Sequence, residues 1–433
     1  MVDVSLGVVS NMAEQFASVS VPLQFQLGLD NLTPETALQG GTLREAVNMD
    51  FYPTGSQRTR PGLRQVESGR FDSLFHPSHD RFLLVAKDNT LVKFDGTSFV
   101  TLATDINGSA LAFAEIDEDV YWVDGAKRGC VTALGMPALW GLPVPPSIQA
   151  SPVSSGGLTA GTYRLAMTAR VAGVESGAAE PTVVQVSEGG GIAITVPTGA
   201  DFSVYRTPPN GVASDLCWAA DISSGGSVVI GSGILGKPLQ SLYAVPPPSG
   251  TAIASYRGRL FVSFGDTLWF TSAYSRHWVF QATDYFRLNA NITMLGASEN
   301  GLYVGTAYEI LFLDGTDPAA MTIRQVSPVG SVSLSVEVAV DSFSDEGMSP
   351  ARQCAWIDAD GFLCVGKGSG VVTRPHRNRY CMGSLQGISL AEIRRAGLRQ
   401  IIVGIDSQEN STFIQTDSVL LPNQVFGYGA TFD

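Results

Sequence analysis

Apolar residues in this chain recur with a period of two, in short runs closed by small polar residues. Arg81-Phe-Leu-Leu-Val-Ala-Lys-Asp-Asn-Thr-Leu-Val-Lys-Phe-Asp-Gly96 is the plainest case: a strand, a tight polar turn, and a second strand ending in Asp-Gly. Phe113-Ala-Glu-Ile-Asp-Glu-Asp-Val-Tyr-Trp-Val-Asp-Gly125 repeats it, and so do Arg259–Phe270, Gly301–Gly315 and Ala355–Thr373. Alternation with Asp, Asn or Gly at the turn predicts β-hairpins. Helical periodicity is scarce. Leu390-Ala-Glu-Ile-Arg-Arg-Ala-Gly-Leu398 is the clearest helix-forming run, and Met12-Ala-Glu-Gln-Phe-Ala-Ser18 could add one or two turns.

Hairpins repeated every few tens of residues predict an all-β, β-propeller-like repeat domain whose small sheets are apolar on both faces and pack one on another. An irregular sandwich, or several small sheets, is the competing reading. Two Pro-rich segments, Leu142-Pro-Val-Pro-Pro146 and Val245-Pro-Pro-Pro-Ser-Gly250, bracket a zone of different character. The division is then an N-terminal arm over 1–40, a first propeller-like part over 41–145, an insert over 146–248, and a second propeller-like part with the C-terminal segment over 249–433. In the insert, Tyr163, Leu165 and Met167 alternate inward, and its length suits a sandwich of about 100 residues.

Composition agrees with an all-β chain of tight turns. Of the 433 residues, 44% are hydrophobic and 15% charged, with 47 Gly and 23 Pro. The net charge of −13 argues against a nucleic-acid grip, which needs clustered Lys and Arg. A negative wall would instead keep a passing duplex from sticking. The start of the chain shows no signal peptide, and no run approaches the roughly 20 apolar residues of a membrane-spanning helix. The expected setting is therefore a reducing cytoplasm. The five cysteines, 130, 217, 354, 364 and 381, form no C-x-x-C pair, and free thiols are expected. Cys354 and Cys364 flank a hairpin-like turn, which leaves a cross-strand disulfide as the alternative.

Candidate chemistry is thin. His76-Pro-Ser-His79 beside Asp80 invites a metal reading, but no third ligand is suggested, and surface-loop histidines are the favoured reading. Glu115-Ile-Asp117-Glu118-Asp119 could bind Ca²⁺ but lacks EF-hand spacing, so it reads as a solvated turn. Gly189-Gly-Gly191 lacks the G-K-[ST] of a phosphate loop and reads as a hairpin connection. No G-x-S-x-G elbow is present. No enzyme, cofactor or metal is expected from these residues.

The stretch Gly41-Thr-Leu-Arg-Glu-Ala-Val-Asn-Met-Asp50-Phe-Tyr-Pro-Thr-Gly55-Ser-Gln-Arg-Thr-Arg60-Pro-Gly62 reads as an entry strand, a turn at Pro53 to Gly55 and a basic cluster ending in a Pro-Gly break. It resembles the opening of β-propeller proteins in the tails of double-stranded DNA bacteriophages, of tail hub, nozzle or tail-tip type. Leu268-Trp-Phe-Thr-Ser-Ala-Tyr274 and Ile292–Gly305 resemble later strands of that family. Leu158-Thr-Ala-Gly-Thr-Tyr163, Glu175-Ser176 and Ser203-Val-Tyr-Arg-Thr207 resemble a fibronectin type III module. The resemblance implies a structural virion protein, made in the host cytoplasm and assembled as a ring-shaped homo-oligomer around the DNA-ejection channel. Its partners would be other tail proteins (tube, adaptor, fibres), with genomic DNA passing through the lumen without specific binding. The alternative is a tail-tip or fibre protein that binds a host surface receptor, with Tyr274 and Trp278 as contact aromatics. Asn48, Asp50, Arg58, Arg60, Pro61 and Gly62 are expected to act as a structural latch, in which Arg forks tie the entry strand to neighbouring carboxylates.

Overall fold

The structure, a computed structural model, describes residues 27–45, 49–51, 57–59, 63–64, 68–108, 111–272, 275–338, 352–382, 385, 387–395, 398–404, 415–416, 419–420 and 427–431. Among them the regular elements are strands and three-residue 3-10 turns. The chain divides into two compact units. One holds Gly69–Leu295 with Leu313–Ile323, and the other holds Met1–Ser68, Gly296–Phe312 and Arg324–Asp433.

The first unit carries three four-stranded antiparallel sheets. Sheet A is Phe71–Phe75, Leu83–Lys87, Thr90–Phe94 and Phe99–Ala103; sheet B is Ala112–Ile116, Asp119–Val123, Arg128–Val131 and Pro137–Ala138. Sheet C is Ala252–Tyr256, Arg259–Phe264, Thr267–Phe270 and Tyr285–Arg287. Their hairpins close through two-residue turns whose central residues take positive φ. These are Asp88 and Asn89 (49° and 60°), Asp117 and Glu118 (51° and 67°), and Arg257 and Gly258 (48° and 75°). Positive φ at both positions matches the twist of the flanking strands; Asp, Asn and Gly adopt it most readily, and Glu118 and Arg257 are held in it here.

Sheet B is buried on both sides. Val120, Trp122 and Val131 join Leu84, Ala86 and Leu91 of sheet A in one core. Tyr121, Val123 and Cys130, one residue out of step, join Ile253, Leu260 and Val262 of sheet C in another. Successive strand residues point to opposite faces, so the continuous run Val120–Val123 feeds both cores. These meanders, stacked face to face, are the propeller-like repeat that the alternating pattern predicts.

Between sheets B and C the chain builds a β-sandwich. Gln149–Leu158, Gly190–Thr195 and Ser227–Ile230 form one sheet. In the other, Gly161–Val171 pairs with Val174–Glu175, Thr182–Val186 and Asp201–Arg206, and the last pairs with Cys217–Ile222. Tyr163, Leu165 and Met167 enter the shared core, as their alternation predicts. The Tyr163 hydroxyl donates to the Thr159 carbonyl at 2.9 Å. This is a tyrosine corner, the feature that L-x-x-G-x-Y encodes, and in an immunoglobulin-type sandwich it marks the sixth strand. Here it stands on the second strand of the insert, so the strand order departs from a fibronectin type III module read from its first strand. The turn at Glu188–Gly189 carries the chain from one sheet to the other, since Thr182–Val186 and Gly190–Thr195 pair in different sheets, and Gly190 and Gly191 open the second of these strands. It is therefore not the hairpin connection expected.

In the second unit, Val336–Val338, Gln353–Ile357, Leu363–Gly366 and Val372–Thr373 form a four-stranded sheet. Its Trp356 is fully buried against Tyr303, with ring centroids 5.4 Å apart. The run expected to be helical is a hairpin instead: Ser389–Arg395 pairs with Leu398–Gly404, which pairs with Gly427–Thr431. Pairing on both sides of Leu398–Gly404 overrides the modest helix preference of Leu, Ala, Glu and Arg. The possible turns over Met12–Ser18 lie outside the described residues. Early and late segments of the chain meet within this unit: Leu63–Arg64 pairs with Val419–Leu420, and Asn31 exchanges hydrogen bonds with Cys381 in both directions, at 2.7 and 3.0 Å.

Candidate functional site

The most constructed locality in the first unit is the neck of the sandwich. The outgoing linker starts at Trp140 and the return linker ends near Gly250, and one strap, Ser275–Phe280, holds both. Trp140 packs edge-on against Tyr121 at 5.2 Å, and its indole N–H donates to the Arg276 carbonyl at 2.6 Å. The next residue, Gly141, donates its backbone N–H to Nδ1 of His277 at 3.3 Å. On the return side, Ala244–Val245 pairs antiparallel with Val279–Phe280. Arg128 completes the neck, donating to the Trp140 carbonyl at 3.1 Å and to Ser249 Oγ at 3.5 Å. Gly125 N–H reaches the Gly250 carbonyl at 2.7 Å, so the return linker passes against sheet B before it enters sheet C.

The strap is anchored electrostatically as well. The Arg276 guanidinium pairs with Asp117, at the turn of sheet B. Burial, with Arg276 beside it, holds the His277 imidazole below its ordinary value and keeps it neutral. A neutral imidazole is what Gly141 N–H requires as acceptor. Burial pushes Tyr121 and Cys130, under the same strap, up to about 12.

The residues singled out from sequence fall elsewhere. Asn48, Arg60, Pro61, Gly62 and Tyr274 lie outside the described residues. Asp50 and Arg58 are described by their backbone, which places them opposite each other in a hairpin of Met49–Phe51 with Gln57–Thr59. Trp278 is partly exposed and belongs to the strap. The histidines 76 and 79 have separate partners: His76 pairs with Asp80 at 3.1 Å, and Nδ1 of His79 accepts from the Arg81 backbone at 3.1 Å. The acidic run is likewise divided. Glu115 accepts from Ser78, Asp117 holds Arg276, Glu118 pairs with Arg81 at 3.2 Å, and Asp119 accepts from Ala133 N–H at 3.0 Å. Among the described residues no group of three or more His, Cys, Asp or Glu is arranged to hold a metal. All five cysteines are free. Cys354 stands opposite Gly366 and Cys364 opposite Trp356, two residue pairs apart along the ladder and so not directly opposed for a cross-strand bridge.

Sequence reasoning missed Trp140, Gly141, Arg128 and His277 as the neck. The available signal was Trp-Gly directly before a Pro-rich linker; Arg276-His277-Trp278 follows the returning one only after three strands of sheet C, so nothing local joins the two.

No family model matches the chain, and no curated protein matches it. Among solved structures it is similar to BBS1N, solved in complex with ARL6DN, at 12% identity over 77% of this chain and 87% of that one, with a TM-score of 0.33. It is also similar to the Neurospora crassa Pan2 WD40 domain, at 10% identity over 77% and 86%, with a TM-score of 0.34. A third is Porphyromonas gingivalis dipeptidyl peptidase 4, at 12% identity over 79% of this chain and 44% of that chain, with a TM-score of 0.27.

Proposed function

We propose that this chain is a structural virion protein of a tailed bacteriophage, a tail hub or nozzle component that forms a ring around the DNA-ejection channel. The observation that carries this reading is a stack of face-packed sheets interrupted by a sandwich on a double, clamped neck. Such a body is built to hold position and present a module. The resemblance of Gly41–Gly62, Leu268–Tyr274 and Ile292–Gly305 to tail propeller proteins supports the same reading. A net charge of −13 suits a conduit through which DNA must slide. Rotational symmetry suits a channel wall, so a homo-oligomeric ring follows. The other tail proteins are its partners, and the virion is its location.

The test is sedimentation and electron microscopy of the purified chain, together with immunolabelling of virions. A ring, and label on the tail, are the expected results. A monomer at all concentrations, with virions free of label, overturns the proposal. If the chain instead binds host cells or glycans strongly as an isolated monomer, the receptor-binding reading replaces it.

A further inference from the structure

The outgoing linker of the sandwich is held by two groups of the strap, and one of them can titrate. The Trp140 indole bonds a backbone carbonyl, which pH does not change. The Gly141 N–H bonds a ring nitrogen, which loses its lone pair on protonation. The return linker is held by backbone pairing with Val279–Phe280, again indifferent to pH. The strap therefore holds the sandwich by two tethers of different chemistry. The geometry points to a proton-operated loosening of the first: when His277 is protonated, Gly141 leaves the strap, and the outgoing linker is held there by Trp140 alone. This stands on the neck geometry alone and is independent of the virion reading.

The surrounding charges favour that outcome. Arg276 is next to His277 on the strap, so a second cation there is opposed. From sheet B, Arg128 bonds the Trp140 carbonyl, and Asp117 and Tyr121 are engaged by Arg276. Asp119 and Cys130 lie beneath Tyr121. Asp284 accepts from the Phe280 N–H at 2.9 Å, at the far end of the strap. Neither linker, 140–146 or 244–250, carries an ionisable side chain. Among the described residues, the carboxylate that faces the guanidinium, Asp117, is thus already paired with it.

The sign follows from linkage. The closed neck holds His277 below its ordinary value of 6.5, so the closed state binds fewer protons than the open one. Closure is fully favoured above that value and weakens as pH falls beneath it. Protection of the closed neck should fall by about tenfold for each pH unit below the free imidazole value, until the closed-state value is passed.

Amide hydrogen exchange on the full chain between pH 7.5 and 5 tests this, after correction for intrinsic rates. Gly125, whose N–H bonds the Gly250 carbonyl, is the internal reference. The expected result is that Gly141 loses protection relative to Gly125 as the pH falls, while Met167 in the sandwich core does not. Parallel behaviour of Gly141 and Gly125 over the whole range overturns the proposal. His277→Asn keeps an uncharged acceptor on a short side chain and should remove the pH dependence. Persistence of the response in that variant, folded by circular dichroism, also overturns it. If the variant does not fold, the wild-type comparison decides.

Discussion

Single residues in this chain mostly do positional work. Gly141 combines a φ of 75° with close approach: a Cβ there would lie 2.8 Å from Pro246 Cβ and 2.9 Å from the His277 carbonyl. Gly141→Ala should therefore destabilise the first unit by about 1–3 kcal/mol, through strain at positive φ and overpacking. Thermal or urea unfolding of the variant checks this. The cysteines are equally positional. Burial pushes Cys130 up to about 12, and raises Cys354 and Cys364 further. A thiol reagent at pH 8 should modify only Cys217 and Cys381 rapidly, with all five reacting in denaturant. Rapid native modification of a third thiol would contradict the buried placement of the others.

At the scale of elements, the alternating pattern carried most of the information. Runs such as Leu83–Lys87 and Asp119–Val123 declared themselves because β-branched and aromatic residues were closed by Asp-Asn, Asp-Glu or Arg-Gly at positive φ. Ser389–Arg395 did not, because its strand state depends on pairing with Leu398–Gly404, and a pairing partner has no local signature. The insert was legible in part. Leu158 to Tyr163 marked a sandwich module by its resemblance, but the corner bond of Tyr163 and the strands that flank it depend on the folded structure. Tyr163→Phe removes the corner bond and nothing else, so a loss of about 1 kcal/mol is expected from equilibrium unfolding. No loss would mean that the corner is held by Leu158 and the core alone. The neck was the least legible element, since Trp140, Arg128 and His277 come from three separate stretches and meet only after the insert has folded.

At the scale of the whole molecule, polar bonds join distant parts of the sequence within the second unit. Asn31 and Cys381 bond each other reciprocally, and Arg379 bonds the Leu27 carbonyl at 2.8 Å. Among the described residues, the latch of the second unit is this pair together with the pairing of Leu63–Arg64 to Val419–Leu420. Asn31→Ala should cost about 1–2 kcal/mol and speed proteolysis of the segment over 27–44 without unfolding sheets A to C. Limited proteolysis followed by mass measurement distinguishes the two outcomes.

The neighbouring exit and re-entry points of the insert, where Gly125 reaches Gly250 and Gly141 lies against Pro246, mean that the host stack sees the sandwich as little more than a long surface loop. Loop-closure entropy rises only slowly with length, so such a site tolerates cargo of very different size. Excising Leu142–Val245 and bridging Gly141 to Pro246 with two glycines should leave sheets A, B and C folded, with Tyr121 and Trp140 still in contact by near-ultraviolet circular dichroism. On this view the neck is an exchange point at which one module can be traded for another, and the proteins sharing this scaffold would differ most between residues 142 and 245.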